Sequence, residues 1–148
     1  MTTFNLAARQ ILLIGLLSLT ACNMPSSNTT KAAAVLSGAS EVPPNASTAA
    51  GEADIKIDIK SNKLSWTITY SGLTGAVTGA HFHGPAEVGA NADAAVPIEG
   101  DMLSPLKGEV IITNEQKTQL LENKWYINLH TAANPDGEIR GQVVVNLN

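Results

Sequence analysis

The sequence predicts an all-β fold, an antiparallel Greek-key β-sandwich or barrel with one short helix. Three observations carry this expectation. Apolar and polar residues alternate at period two through most of the chain after residue 31, which is the strand pattern. Turn residues interrupt these runs at short intervals. The 148 residues are 44% hydrophobic but only 4% aromatic, which gives one domain a core of Val, Ile, Leu and Ala.

The elements follow in chain order. Residues 1–21 read as an address rather than as fold. Arg9 is the only charged residue before Lys31, and it precedes an apolar stretch from Ile11 to Leu19 and then small residues. A basic start, a short apolar centre and small residues before a cut describe a secretory signal. Leu19-Thr20-Ala21-Cys22 resembles a bacterial lipobox. That resemblance implies a lipid-modified Cys22 as the first residue of the mature protein and a membrane as its partner. It implies the bacterial cell envelope as its location, and with Asn23 following, the outer membrane of a Gram-negative cell. Stable anchoring takes more than one acyl chain. Residues 22–31 lack apolar periodicity and read as a flexible tether.

Strands are expected at Ala32–Ser37, Val77–Phe82, Gly108–Ile112, Trp125–His130 and Glu138–Leu147. The clearest hairpin joins two further runs across Ser61-Asn62. Ala53, Ile55, Ile57 and Ile59 alternate with polar residues on one arm, and Leu64, Trp66, Ile68 and Tyr70 on the other. A helix is expected at 115–122, because Thr113 and Gln116 have capping-box spacing. Leu120 and Leu121 would face the sheet. Residues 85–105 read as one long loop.

Composition narrows the function. A formal charge of −4 offers no electrostatic footprint for nucleic acid. A single Cys excludes an internal disulfide framework and a multi-cysteine zinc site. No G-x-S-x-G nucleophile turn is present.

All three histidines fall in two short motifs, Gly79-Ala80-His81-Phe82-His83-Gly84-Pro85 and Asn128-Leu129-His130-Thr131. On a strand His81 and His83 share a face, roughly 6–7 Å apart. Phe82 then points into the core, with Trp125, Ile127 and Leu129 on the core side of the later strand. His130 projects from the polar side, as His81 and His83 do. If 125–130 pairs with 138–147, Glu138 and Arg140 fall near His130. Three neutral imidazoles suit copper or zinc, and three histidines with an open position are a pattern of catalytic zinc. On this reading Glu138 orients an imidazole, and Arg140 attracts an anion. Two alternatives stand beside it: histidines that satisfy backbone groups at strand ends, and histidines that contact a ligand without metal.

Four segments together resemble the CHRD domain. They are Leu36-Ser-Gly-Ala-Ser-Glu-Val-Pro-Pro44, Gly79-Ala-His-Phe-His-Gly-Pro-Ala86, Trp125-Tyr-Ile-Asn-Leu-His-Thr131 and Pro135-Asp-Gly-Glu-Ile-Arg-Gly-Gln142. The resemblance spans 32–148. It implies an immunoglobulin-like or barrel-like all-β fold outside the cytoplasm, with no fixed activity. Gly79-Ala-His-Phe-His is also similar to the copper-ligand strand of copper–zinc superoxide dismutase, with His130 as a third ligand and Arg140 in the place of its substrate-guiding arginine. A fourth histidine, the disulfide and the zinc-loop ligands are missing. The leading expectation is therefore a lipid-anchored binding module for an unknown protein or small ligand, holding copper or zinc through His81, His83 and His130. The rivals are a dismutase-like or other metalloenzyme and a metal-free surface protein.

Overall fold

The computed structural model describes residues 28–146. The expected signal segment, Cys22 and most of the expected tether lie outside these residues. Nine strands and one α-helix follow in order: β1 (Thr29–Ser37), β2 (Ala50–Asp58), β3 (Lys63–Ser71), β4 (Val77–His83), β5 (Ala94–Pro97), β6 (Leu106–Ile111), α1 (Asn114–Leu121), β7 (Tyr126–Thr131), β8 (Ile139–Gln142) and β9 (Val144–Asn146). A 3-10 turn, Gly38–Ser40, follows β1.

Every strand pairing is antiparallel. The strands form one sheet in the order β5-β4-β7-β8-β1-β2-β3-β6, with β9 also pairing with β1. This sheet curls into a half-barrel around a single core. The curl is visible in one contact. β3 and β4 stand near opposite ends of the strand order, yet the Trp66 and Phe82 rings meet edge to face with centroids 5.2 Å apart. Each large apolar side chain buried in this way contributes about 1.5–3 kcal/mol, and Leu36, Ile55, Ile57, Leu64, Ile68, Phe82, Trp125, Ile127, Leu129 and Ile139 are all fully buried.

The period-two reading holds on β2 and β3, where Ala53 faces Ile68, Ile55 faces Trp66 and Ile57 faces Leu64. The turn between them is longer than expected. Asp58 Oδ1 accepts from the backbone N–H of Lys60 and Ser61, and Asn62 takes a left-handed conformation with φ 60°. Both features are favoured in turns by short polar side chains. Ile59 thereby leaves the core face and is 42% exposed.

Three other boundaries move. β1 begins at Thr29, because its first residues pair with the end of β2. It therefore takes in residues expected in the tether. The expected long loop contains β5, which pairs with β4 through His81, Phe82 and His83. Val96 and Ile98 enter the core from this segment. Two apolar residues in a run this short give no detectable period. Finally, the expected last strand breaks into β8 and β9 at Val143, whose N–H donates to the Trp125 carbonyl.

The helix is capped as its sequence indicates. Thr113 Oγ1 accepts from the Gln116 N–H, and Gln116 Oε1 accepts from the Thr113 N–H. Leu120 is fully buried and Leu121 packs at the edge of the core. A helix of eight residues needs both cap and packing. Thr113→Ala is expected to cost about 1 kcal/mol, measured by denaturant unfolding monitored by circular dichroism.

Candidate metal centre

β4, β7 and β8 are adjacent, and their register builds the site. His81 lies opposite Asn128, His83 opposite Tyr126 and Gly79 opposite His130. Asn128 in turn lies opposite Arg140 on β8. Strand alternation sends Phe82, Ile127 and Leu129 into the core and leaves the histidines, Tyr126 and Asn128 on the other face. Gly79 has no side chain to stand between the His81 and His130 rings.

The three imidazoles converge. His81 Nδ1 and His130 Nε2 are 3.2 Å apart. One ligand atom from each of His81, His83 and His130 lies within 4.8 Å of the other two, so the cluster could hold a metal ion. Zn–N bonds of about 2.0–2.1 Å would place tetrahedral ligand nitrogens roughly 3.3 Å apart. One pair already meets that spacing.

The outer nitrogens of two rings are fixed by backbone. His130 Nδ1 lies 2.8 Å from the Pro135 carbonyl oxygen, and His83 Nδ1 lies 3.0 Å from that of Ala92. A carbonyl only accepts, so each Nδ1 carries the proton and each Nε2 keeps its lone pair. His83 Nε2 is buried without a partner. A buried lone pair left open in this way fits a metal ligand, because an unsatisfied polar atom is otherwise costly. Burial, chiefly, holds the His81 and His83 pKa values below the ordinary imidazole range, with the neighbouring rings and Arg140 adding to it. Both rings are then neutral near pH 7, the form that ligates.

Glu138 does not orient an imidazole. Its Oε1 accepts from Ser47 Oγ at 2.8 Å and from the Thr74 N–H at 2.9 Å. Its Oε2 accepts from the Thr74 and Thr131 hydroxyls, each at 2.7 Å. Glu138 precedes the first residue of β8, so strand alternation does not keep it on the histidine face. Burial by itself would raise its carboxyl, but the donors from Thr131, Thr74 and Ser47 outweigh that and hold it at about 2. Carbonyl oxygens orient the rings in its place.

Arg140 is buried, and its guanidinium is already engaged. Nη1 donates to Asn91 Oδ1 at 2.8 Å, and Nη2 donates to the Ala90 carbonyl at 2.6 Å. Its Cζ lies 3.4 Å from the centre of the Tyr126 ring. Tyr126 in turn stacks on His83, with centroids 4.8 Å apart and planes 3° from parallel. Arg140 therefore pins the 90–92 segment and steadies His83 through Tyr126, and is not presented to an incoming anion.

Three residues of this face were not anticipated as site residues: Tyr126, Asn128 and Glu41. The parity of β7 signals the first two, since both alternate in step with His130. Glu41 arrives from the segment after the 3-10 turn. That segment is tied down by Asn45, which donates to the Gly137 and Glu138 carbonyls, and by Asn91, which donates to the Val42 carbonyl. Asn128 Nδ2 donates to both Glu41 oxygens, at 2.8 and 3.0 Å. Gly137 has φ +132°, and a Cβ there would lie 2.2 Å from Asn128 Nδ2 and 2.6 Å from Glu41 Oε1. Only glycine fits that crossing.

Burial pushes the Glu41 carboxyl up to about 7, against the Arg140 charge and the Asn128 hydrogen bond. The folded protein therefore keeps a proton that the unfolded chain releases above its ordinary value of 4.5. The associated stability is complete below that value and is lost as pH rises through 7. Glu41→Gln, neutral at every pH, is expected to be more stable than the parent near pH 8.5, by about 1–2 kcal/mol once solvent screening is allowed for. The gain should vanish at about pH 4, below the unfolded value. Thermal unfolding of both proteins at the two pH values checks this.

Comparison with curated proteins and with solved structures gives no match. The family model described as the CHRD domain matches residues 32–143. That span contains the whole histidine cluster together with Glu41, Tyr126, Asn128, Glu138 and Arg140, and on it the chain belongs to the CHRD domain family.

Proposed function

We propose that this chain is an extracytoplasmic binding module, tethered to the bacterial cell envelope through a lipidated Cys22, that holds copper or zinc on His81, His83 and His130. The observation that carries the metal reading is the geometry of the nitrogens. Two rings have their Nδ1 atoms committed to carbonyls, and one ligand nitrogen from each of the three rings lies within 4.8 Å of the other two. Imidazole ligands suit both metals. The Leu19–Cys22 motif supports the anchor, and in a Gram-negative cell Asn23 favours the outer membrane.

The protein's own part is to present the nitrogens. His83 and His130 need no proton rearrangement. His81 must release the contact between its Nδ1 and His130 Nε2 and carry its hydrogen on Nε2. When bound, the ion would supply a Lewis-acidic centre with an open position, or, for copper, an electron-transfer centre.

Titration of the untagged chain with Cu(II) and Zn(II) tests the proposal, and one ion per chain is expected. Protons compete for the imidazole lone pairs, and because the His81 and His83 values lie below 6.5, affinity should fall as pH drops beneath that value. An affinity unchanged between about pH 7 and pH 5 would contradict histidine ligation.

A further inference from the structure

Beside the histidine cluster lies a cavity of about 380 Å³, walled by Glu41, Val42, Pro43, His83, Asn91, Ala92, Tyr126, Asn128 and Asp136. Its polar chemistry is one-sided. Most of the wall donors are already committed. Asn91 Nδ2 donates to the Val42 carbonyl. The Tyr126 hydroxyl donates to the Ala92 carbonyl, and the Ala92 N–H donates back to it. His83 Nδ1 is spent on that same carbonyl, and Asn128 Nδ2 on Glu41.

What remains open is chiefly acceptors. Asn128 is 4% exposed, and its Oδ1 has no partner. Once ionised, above about pH 7, Glu41 cannot donate and requires the amide to turn Nδ2 toward it, which leaves Oδ1 without a partner. Each Glu41 oxygen accepts a single bond, from Asn128, and has capacity for more. Asp136 adds a second carboxyl at the exposed rim. Arg140 is not part of this wall.

We propose that the cavity is a binding subsite for a primary ammonium group on a short alkyl chain, received by Glu41 and Asn128 Oδ1, and that it excludes anions. An ammonium has three donors and no acceptor, the complement of what the wall leaves open. Val42 and Pro43 supply an apolar surface for the alkyl part. An anion of the same size would meet two carboxyls and a carbonyl, with the second Asn91 N–H as the donor left to receive it. The burial that raises the Glu41 carboxyl also strengthens any charge-assisted bond it makes once ionised. This inference rests on the cavity and not on the metal, so the two can fail separately.

The test uses the metal-free chain near pH 8, and n-propylammonium and propionate as ligands of matched shape and opposite charge. Binding is read from the Asn128 side-chain amide signals in two-dimensional NMR. Saturable shifts are expected with n-propylammonium and none with propionate. Glu41→Gln should weaken the ammonium by at least about tenfold, and Glu41→Asp should recover part of it. The same spectra verify that each variant is folded. A third ligand, an Nα-acetyl-lysine amide, separates two sources of the ammonium. Tighter binding than n-propylammonium points to a protein lysine, and weaker binding to a free amine. Propionate binding as tightly, an unmoved Asn128 with every ammonium ligand, or a Glu41→Gln variant that binds like the parent would each overturn the proposal. Repeating the titration with one equivalent of Zn(II) shows whether the subsite persists when the histidines are loaded.

Discussion

His83→Ala is expected to lower copper or zinc affinity by several orders of magnitude, with the fold retained. The substituted ring is one of the three proposed ligands. Its Nε2 is buried with no partner in the protein, so its removal leaves no broken protein hydrogen bond on the metal side. What the variant loses structurally is the stack on Tyr126 and the bond to the Ala92 carbonyl. Those losses should cost about 1–2 kcal/mol, which is small beside the stability of a folded domain. His130→Ala should behave alike for the metal. It also frees the Pro135 carbonyl at a more exposed position, where water can replace the ring. Calorimetric metal titration with circular dichroism on the same samples separates the two effects. Equal metal affinity in parent and variants would remove the histidines from the account.

Glu138→Ala is expected to be the most destabilising single change on this side of the sheet, by at least about 3 kcal/mol. Four hydrogen bonds converge on this buried carboxylate, and bonds to charged groups contribute about 1.5–3 kcal/mol each before compensation. Removing the acceptor strands the Thr74 N–H and buried Thr131. The carboxyl is held at about 2, below its ordinary value of 4.5. Its stabilisation is therefore present above pH 4.5 and lost as pH falls through 2. Below that range the parent and Glu138→Ala should converge. Urea unfolding at about pH 7 and about pH 3 measures both; an equal gap at the two values would show that ionisation contributes nothing.

Much of this molecule is legible in its sequence. Strict alternation in 53–57 and 64–68 identified the central hairpin, because one face of each strand must be apolar. The Thr113–Gln116 spacing identified the helix start, because both hydrogen bonds of that cap are local. The shared face of His81 and His83 followed from the same periodicity. Their meeting with His130 depended on the pairing of β4 with β7, a long-range contact that no local pattern encodes. The CHRD-like motifs imply an all-β fold but not the register that brings these rings together.

The misreadings have physical causes of the same kind. Glu138 was placed by extending strand parity one residue past the end of β8, where the ladder no longer constrains the side chain. Arg140, expected to attract an anion or a carboxylate, is covered by the returning 90–92 segment, which turns it into a tether. β5 was hidden inside an Ala- and Gly-rich stretch with too few apolar residues to show a period. Glu41 entered through a loop folded back on the sheet and held by Asn45 and Asn91, contacts that span 92 and 49 residues of sequence.

The most direct test of the central claim is the metal content of the untagged chain after purification and dialysis, measured by elemental analysis beside a His81→Ala/His83→Ala/His130→Ala variant. One copper or zinc per parent chain and none in the variant is the expected result. A parent without bound metal after exposure to both ions, or a variant that retains as much as the parent, would contradict it.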